Sequence, residues 1–309
     1  MRAMQQPVPF RPADLAAVLA VVLIWGLNFV VMKVGLAYFT PFQLGAGRFA
    51  FAFLPLALRI PVPRVRRRWL LAFGVAQGLG QFGFLFVALR IGMTAALASV
   101  LLQTQVFFTA GLGVVLLGER IGVPLRVGFV FAAAGLACFA ANTVLHATSS
   151  VSGLGLLLTL GSAAMWATSN IVVRKAQKDS GGFHALGFVV WSSAVSILPF
   201  LLMSWLFDPP ATQGNWLRAP WQGWIALAAL GWLATSLAYG LWTGLLKRFP
   251  ASRVAPFSLG VPLIGLAAGI VLLGEVVSPL QWVGAVLVFC ALVCVLFGDR
   301  LLRWRTARA

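Results

Sequence analysis

WGLNFVVMK, from Trp25 to Lys33, lies inside a long apolar run yet carries an indole, an amide and a cation. The chain returns to it at Trp166 to Lys175, WATSNIVVRK. Aligned on Asn28 and Asn170, four of six positions agree, ending on Lys33 and Lys175, although the tryptophans are one residue out of register. A second echo is cleaner. Val115 to Glu119, VLLGE, recurs at Val271 to Glu275, and the same offset carries Gly128 onto Gly284. Two matches in the same order indicate an internal duplication.

Of the 309 residues, 61% are hydrophobic and 9% charged, far from the roughly 25% charge of a soluble domain. Apolar runs of about 20 residues follow one another, as membrane-spanning helices require. The formal net charge of +17 sits in short loops between those runs. Topology accounts for it better than nucleic acid, and no soluble segment is long enough to form a nucleic-acid reading domain. No cleavable signal peptide is read: the first run is too long and no small-residue cleavage site follows it. Cys138, Cys290 and Cys294 lie in apolar runs and read as packing residues without a disulfide or metal role.

Ten spans are expected, at about 14–36, 41–58, 69–89, 94–117, 124–145, 153–174, 183–206, 222–246, 251–273 and 279–298. With the N-terminus inside, nineteen Lys and Arg residues fall in inner segments, against Arg90 and Arg218 outside. That bias predicts both termini in the cytoplasm. Five spans per repeat is an odd number, so the second repeat starts on the opposite side from the first. The expected fold class is an all-α membrane protein of ten transmembrane helices. They form two inverted five-helix repeats, 13–146 and 152–299, N-in and C-in, joined by a short polar linker. Such repeats are a common signature of secondary transporters, whose site lies near the midplane between the halves.

Polar residues inside the spans are the candidates for that site. Asn28 and Asn170 are costly in hydrocarbon and either line a passage or hold helices together. Gln77 and Gln81 share one helix face in a Gly-rich span, where they either line a ligand or pack. Gln103 and Gln105 are two apart and are not expected to share a face. Trp25, Trp166 and Tyr239 offer an aromatic wall beside the amides, or simple bulk; Trp191, Trp232 and Trp242 are also expected to be deep or semi-deep. Arg48 either meets a carboxylate substrate or snorkels outward from the start of its span, and Lys33 is expected to snorkel. Glu119 and Glu275 read as structural partners of loop cations or orphan backbone donors. No Asp, Glu or His stands in mid-span, so no side chain is an evident proton carrier. No HExxH, GxSxG or P-loop is present, so neither catalysis nor a cofactor is expected.

Together WGLNFVVMK, Arg48, Ala95 to Ser99, LLGER at 116–120, WATSNIVVRK, Leu245 to Ser252 and LLGE at 272–275 resemble the drug/metabolite transporter superfamily of EamA type. The resemblance runs from about Asp14 to Phe297 and is closest to bacterial amino-acid and metabolite exporters. A departure is Gln103-Thr-Gln105 where family members often carry proline; Pro262 stands in the equivalent part of span nine. The resemblance implies a cavity between spans 1, 3, 4, 6, 8 and 9. It implies alternating-access export of amino acids, aromatic or otherwise amphipathic, and related small metabolites across a bacterial inner membrane. The expected partners are the solute and the lipid bilayer, with no nucleic acid. The alternatives are a same-fold exchanger of phosphorylated metabolites, which would need more cations in the cavity, and a membrane-embedded enzyme or lipid translocase, which would need an acid/base cluster.

Overall fold

The structure, a computed structural model, describes residues 10–119, 121–145 and 151–306, and for residues 251, 252 and 299–306 the backbone alone. The polar N-terminal segment up to residue 9, Arg120, linker residues 146–150 and the last three residues lie outside the described residues. No strand occurs among the described residues. The major helices are α1 (Pro12–Leu36), α2 (Pro41–Ala57), α3 (Arg67–Arg90), α4 (Ala95–Leu117), α5 (Val123–Leu145), α6 (Gly153–Ser180), α7 (Ala185–Phe207), α8 (Trp221–Arg248), α9 (Ala255–Leu273) and α10 (Pro279–Thr306). Nine of these are long and apolar enough to cross a membrane. The exception is α2, whose 17 residues rise about 26 Å, short of a hydrocarbon core of about 30 Å.

Local chemistry sets the helix ends. Pro12 and Pro41 open α1 and α2 at the position where a missing N–H costs nothing. Thr40 and Gln43 form a reciprocal capping box, with Gln43 N donating to Thr40 Oγ1 at 3.1 Å. Asp14 accepts from the Arg11 backbone at 2.9 Å and pairs with Arg248, tying the start of α1 to the end of α8. Gly118 and Gly274 close the two LLGE turns with φ of 68° and 65°, a left-handed conformation that glycine adopts without strain.

Two helices leave α geometry at matching places. Gly74–Phe82 in α3 and Ala229–Leu237 in α8 are π-helical, nine residues each. In α8, Thr235 and Ser236 hydroxyls bond back to the carbonyls of Leu230 and Gly231, five residues earlier, at 2.9 and 3.2 Å. Leu102–Thr104 of α4 and Ala255–Leu259 of α9 wind as tight 3-10 turns.

The helices pack mainly across the two halves. α5 lies on α10, α2 on α7, α4 on α9, α1 on α8 and α9, and α6 on α3 and α4. Exchanging α1–α5 for α6–α10 maps this set of pairs onto itself. The α5–α10 crossing is close enough that a Cβ on Gly135 would stand 2.9 Å from the Gly284 carbonyl. Asn142 is buried in α5 and accepts the Ser278 hydroxyl, just before α10, at 2.6 Å, and Gln281 is buried in the first turn of α10. The largest apolar cluster fills one end of the bundle, where Leu36, Phe39, Leu44, Phe86, Leu89 and Met93 meet.

Candidate functional site

A cavity of about 280 Å³ lies at mid-height, bounded on one side by Phe29, Met32, Phe82, Leu85 and Leu102 of that cluster. It takes residues from α1, α2, α3, α4, α6, α8 and α9. This is the set implied by the resemblance with α2 added. Its volume is just below the roughly 300–1,000 Å³ typical of pockets for drug-sized ligands.

Arg48 is the only cation among the described lining residues and is 2% exposed. It does not snorkel: α2 is wedged between α7 and α8, so the side chain has no route to a surface. Its Nε donates to Thr235 Oγ1 at 3.2 Å and its Nη1 to Asn28 Oδ1 at 3.5 Å, while the guanidinium carbon sits 3.8 Å above the Phe82 ring centre. No ion pair among the described residues includes it. Burying a cation without a counter-charge is costly, and ring stacking with two neutral acceptors offsets only part of that cost. An anionic group entering the cavity would complete the pairing with charge-assisted hydrogen bonds.

One wall is aromatic. Trp25 meets Tyr239 edge-on at 5.2 Å and Trp242 at 5.5 Å between centroids. Trp25 Nε1 donates to the Ala234 carbonyl at 3.0 Å, which fixes the indole against α8. Across the cavity, Trp166 and Asn170 project from α6. Asn170 Nδ2 donates to Gln105 Oε1 at 2.9 Å and to Thr109 Oγ1 at 3.2 Å, so it lines the space and joins α6 to α4 at once.

Of the site residues expected from sequence, Trp25, Asn28, Arg48, Gln81, Trp166, Asn170 and Tyr239 line this cavity. Gln77 stands apart from it. Its amide is spent between helices, donating to Tyr239 Oη at 3.3 Å and accepting from Ser169 Oγ at 2.5 Å. Gln103 and Gln105 both line the cavity, against expectation. The 3-10 turn between them advances about 120° per residue instead of 100°, which narrows their angular separation. Trp232, in the middle of α8, is 46% exposed on its outer surface. Lys33 is half-buried in the last turn of α1 and donates to the Leu89 carbonyl at 2.9 Å. Phe82 and Thr235, which hold Arg48, were not singled out from sequence. An aromatic after Gln81 and a threonine in an apolar run carry little signal until α2 and α8 are brought together.

The two repeated glutamates serve the frame. Glu275 accepts from the backbone N–H groups of Ala95 and Ala96 at 2.7 and 2.8 Å, capping α4 from the other half of the chain. Glu119 pairs with Arg174 at 3.0 Å in a half-exposed setting.

A multi-pass helical bundle enclosing a polar, aromatic-walled cavity defines a membrane protein built to hold a small solute. The chain belongs to the EamA-like transporter family, whose pattern it matches twice, over residues 12–141 and 153–297. It is 40% identical over 292 residues to a Salmonella typhimurium protein described as a probable amino-acid metabolite efflux pump, covering 94% of this chain and 96% of that one. An Escherichia coli protein of the same description is 39% identical over 290 residues, covering 94% and 95%. A solved crystal structure superposes with a TM-score of 0.60 at 18% identity, covering 93% of this chain and 96% of the other, which shows a shared fold.

Proposed function

We propose that the protein is a secondary exporter of amino acids and related small metabolites, with preference for aromatic or otherwise amphipathic ones, in a bacterial inner membrane. The observation that carries the substrate class is Arg48, a buried cation without a carboxylate partner on the wall of a solute-sized cavity. A carboxylate would meet it, and Trp25, Trp166, Tyr239 and Trp242 would take the apolar body. The relatives described as amino-acid metabolite efflux pumps support the same class. A single cavity cation argues against phosphorylated metabolites, which call for several.

The transport cycle is alternating access between two inverted five-helix repeats, 13–146 and 152–299, with both termini in the cytoplasm. Support comes from the odd helix number per repeat, the loop charge bias, and helix pairs that exchange with one another when the halves are exchanged. In that orientation the apolar cluster closes the periplasmic end, and the cavity belongs to an inward-facing state.

The test is flux of labelled amino acids through liposomes holding the purified protein. Carrier-dependent movement that saturates and is lost in Arg48→Met supports the function. Absence of flux for every amino acid tried, with the protein folded, would reject it.

A further inference from the structure

We propose that Gln81 is the receptor for the substrate's ammonium group, so that the cavity selects zwitterions bearing an α-amine beside the carboxylate held by Arg48. This rests on the exporter function proposed above. It adds which residue tells an amino acid from the carboxylic acid of the same body.

Gln81 lines the cavity and is 3% exposed, and its Oε1 is buried without a hydrogen-bond partner among the described residues. Leaving such an acceptor unmet is costly, so native proteins rarely do it without a use. Three other amide oxygens on these helices are already engaged. Asn28 Oδ1 accepts from Arg48, Gln77 Oε1 from Ser169, and Gln105 Oε1 from Asn170 and Thr109.

The position of Gln81 is built rather than incidental. Its backbone carbonyl takes the Ser162 hydroxyl at 2.7 Å, pinning α3 to α6, and it lies in the π-helical turn. The next residue, Phe82, carries the Arg48 guanidinium on its ring. Arg48 and Gln81 line the same cavity, so an amino acid whose carboxylate meets Arg48 would bring its ammonium, one carbon away, to the wall that holds this unpartnered oxygen. A neutral acceptor suits the place. A carboxylate at position 81 would itself pair with Arg48 and take the site from the substrate, whereas an amide oxygen accepts from the ammonium and leaves the guanidinium unpaired until substrate arrives.

The test uses L-phenylalanine and 3-phenylpropanoate, which share body and carboxylate and differ by the amine. Flux of each is measured in proteoliposomes with the membrane potential clamped at zero, for the unaltered protein and for Gln81→Met. The unaltered protein should move phenylalanine about tenfold faster or more, because a site built to hydrogen-bond an N–H discriminates strongly against the analogue without it. Gln81→Met should lower phenylalanine flux about tenfold while leaving 3-phenylpropanoate within about twofold. Its melting temperature should equal or exceed that of the unaltered protein, since an unmet acceptor is removed. The preference of the unaltered protein tests the inference without any substitution. No preference there, equal loss of both probes in Gln81→Met, or no loss of either would overturn it. No movement of either probe by the unaltered protein would overturn the Gln81 role, and no movement of any other amino acid tried as well would overturn the exporter function itself.

Discussion

Arg48 and Asn170 each bond to a neighbouring helix while lining the cavity. Arg48→Met keeps the bulk and removes the charge. Because the buried guanidinium has no counterion among the described residues, stability should stay within about 1 kcal/mol or rise. Carboxylate flux should fall by about two orders of magnitude, as when one partner of a buried charge pair is lost. Melting temperature and flux measured on one preparation separate the two effects. Asn170→Ala removes the donor to Gln105 and Thr109, and should cost about 1–3 kcal/mol if that link matters only for packing. Reduced flux with a melting point within a few degrees of the parent marks the passage role instead, and the same comparison applies to Asn28→Ala. From sequence, the asparagines stood out because amides are rare in apolar runs. Which of the two jobs each does depends on neighbours from other helices.

At the scale of elements, the repeated LLGE turns look equivalent in sequence and differ in their surroundings. Glu275 satisfies two backbone donors at the start of α4, and Glu119 meets Arg174 in a pair whose side chains are 49% and 48% exposed. Glu275→Ala should destabilise by about 2 kcal/mol or more, as charge-assisted bonds to orphan helix donors are lost. Glu119→Ala should cost less than about 1 kcal/mol, typical of a solvated ion pair. Thermal unfolding of both variants in the same detergent checks the ranking; equal losses would contradict it. The π-helical turns of α3 and α8 and the 3-10 turn of α4 belong to the same scale. They rotate Gln81, Tyr239, Gln103 and Gln105 relative to regular α geometry, and no apolar periodicity announces them.

For the whole molecule, orientation is the first thing to test. Cysteines placed at Gln213, in the α7–α8 loop, and at Arg64, in the α2–α3 loop, are both exposed and should label from opposite sides. The background is a protein whose three native cysteines have been replaced by alanine. Labelling of both from one side would refute the proposed topology. Transport should also be indifferent to a pH gradient at constant solute protonation. No Asp, Glu or His lines the cavity among the described residues, and Arg48 stays charged in the physiological range. Uphill accumulation driven by a pH gradient and abolished by an uncoupler would require a proton carrier elsewhere, with Glu119, Glu275 and His184 the first to examine.

The sequence by itself determined that the chain is a helical membrane protein and that its two halves echo each other. Hydrophobic run length and repeated motifs are properties of one dimension and survive without a fold. It also pointed to the polar residues that would be expensive in lipid, because that cost belongs to the residue type. Only the tertiary structure decided where those residues sit and what they touch. Arg48 lies seven residues into α2, where sequence allowed it to reach a surface; packing of α7 and α8 around it closed that route and set it over Phe82. Gln77 and Gln81 look alike on one helix, yet Gln77 is spent on Ser169 and Tyr239 while Gln81 keeps a buried oxygen without a partner among the described residues. A hydrogen bond between α3, α6 and α8 depends on distances across the fold, and burial without a partner is a property of the assembled bundle that spacing along the chain does not contain.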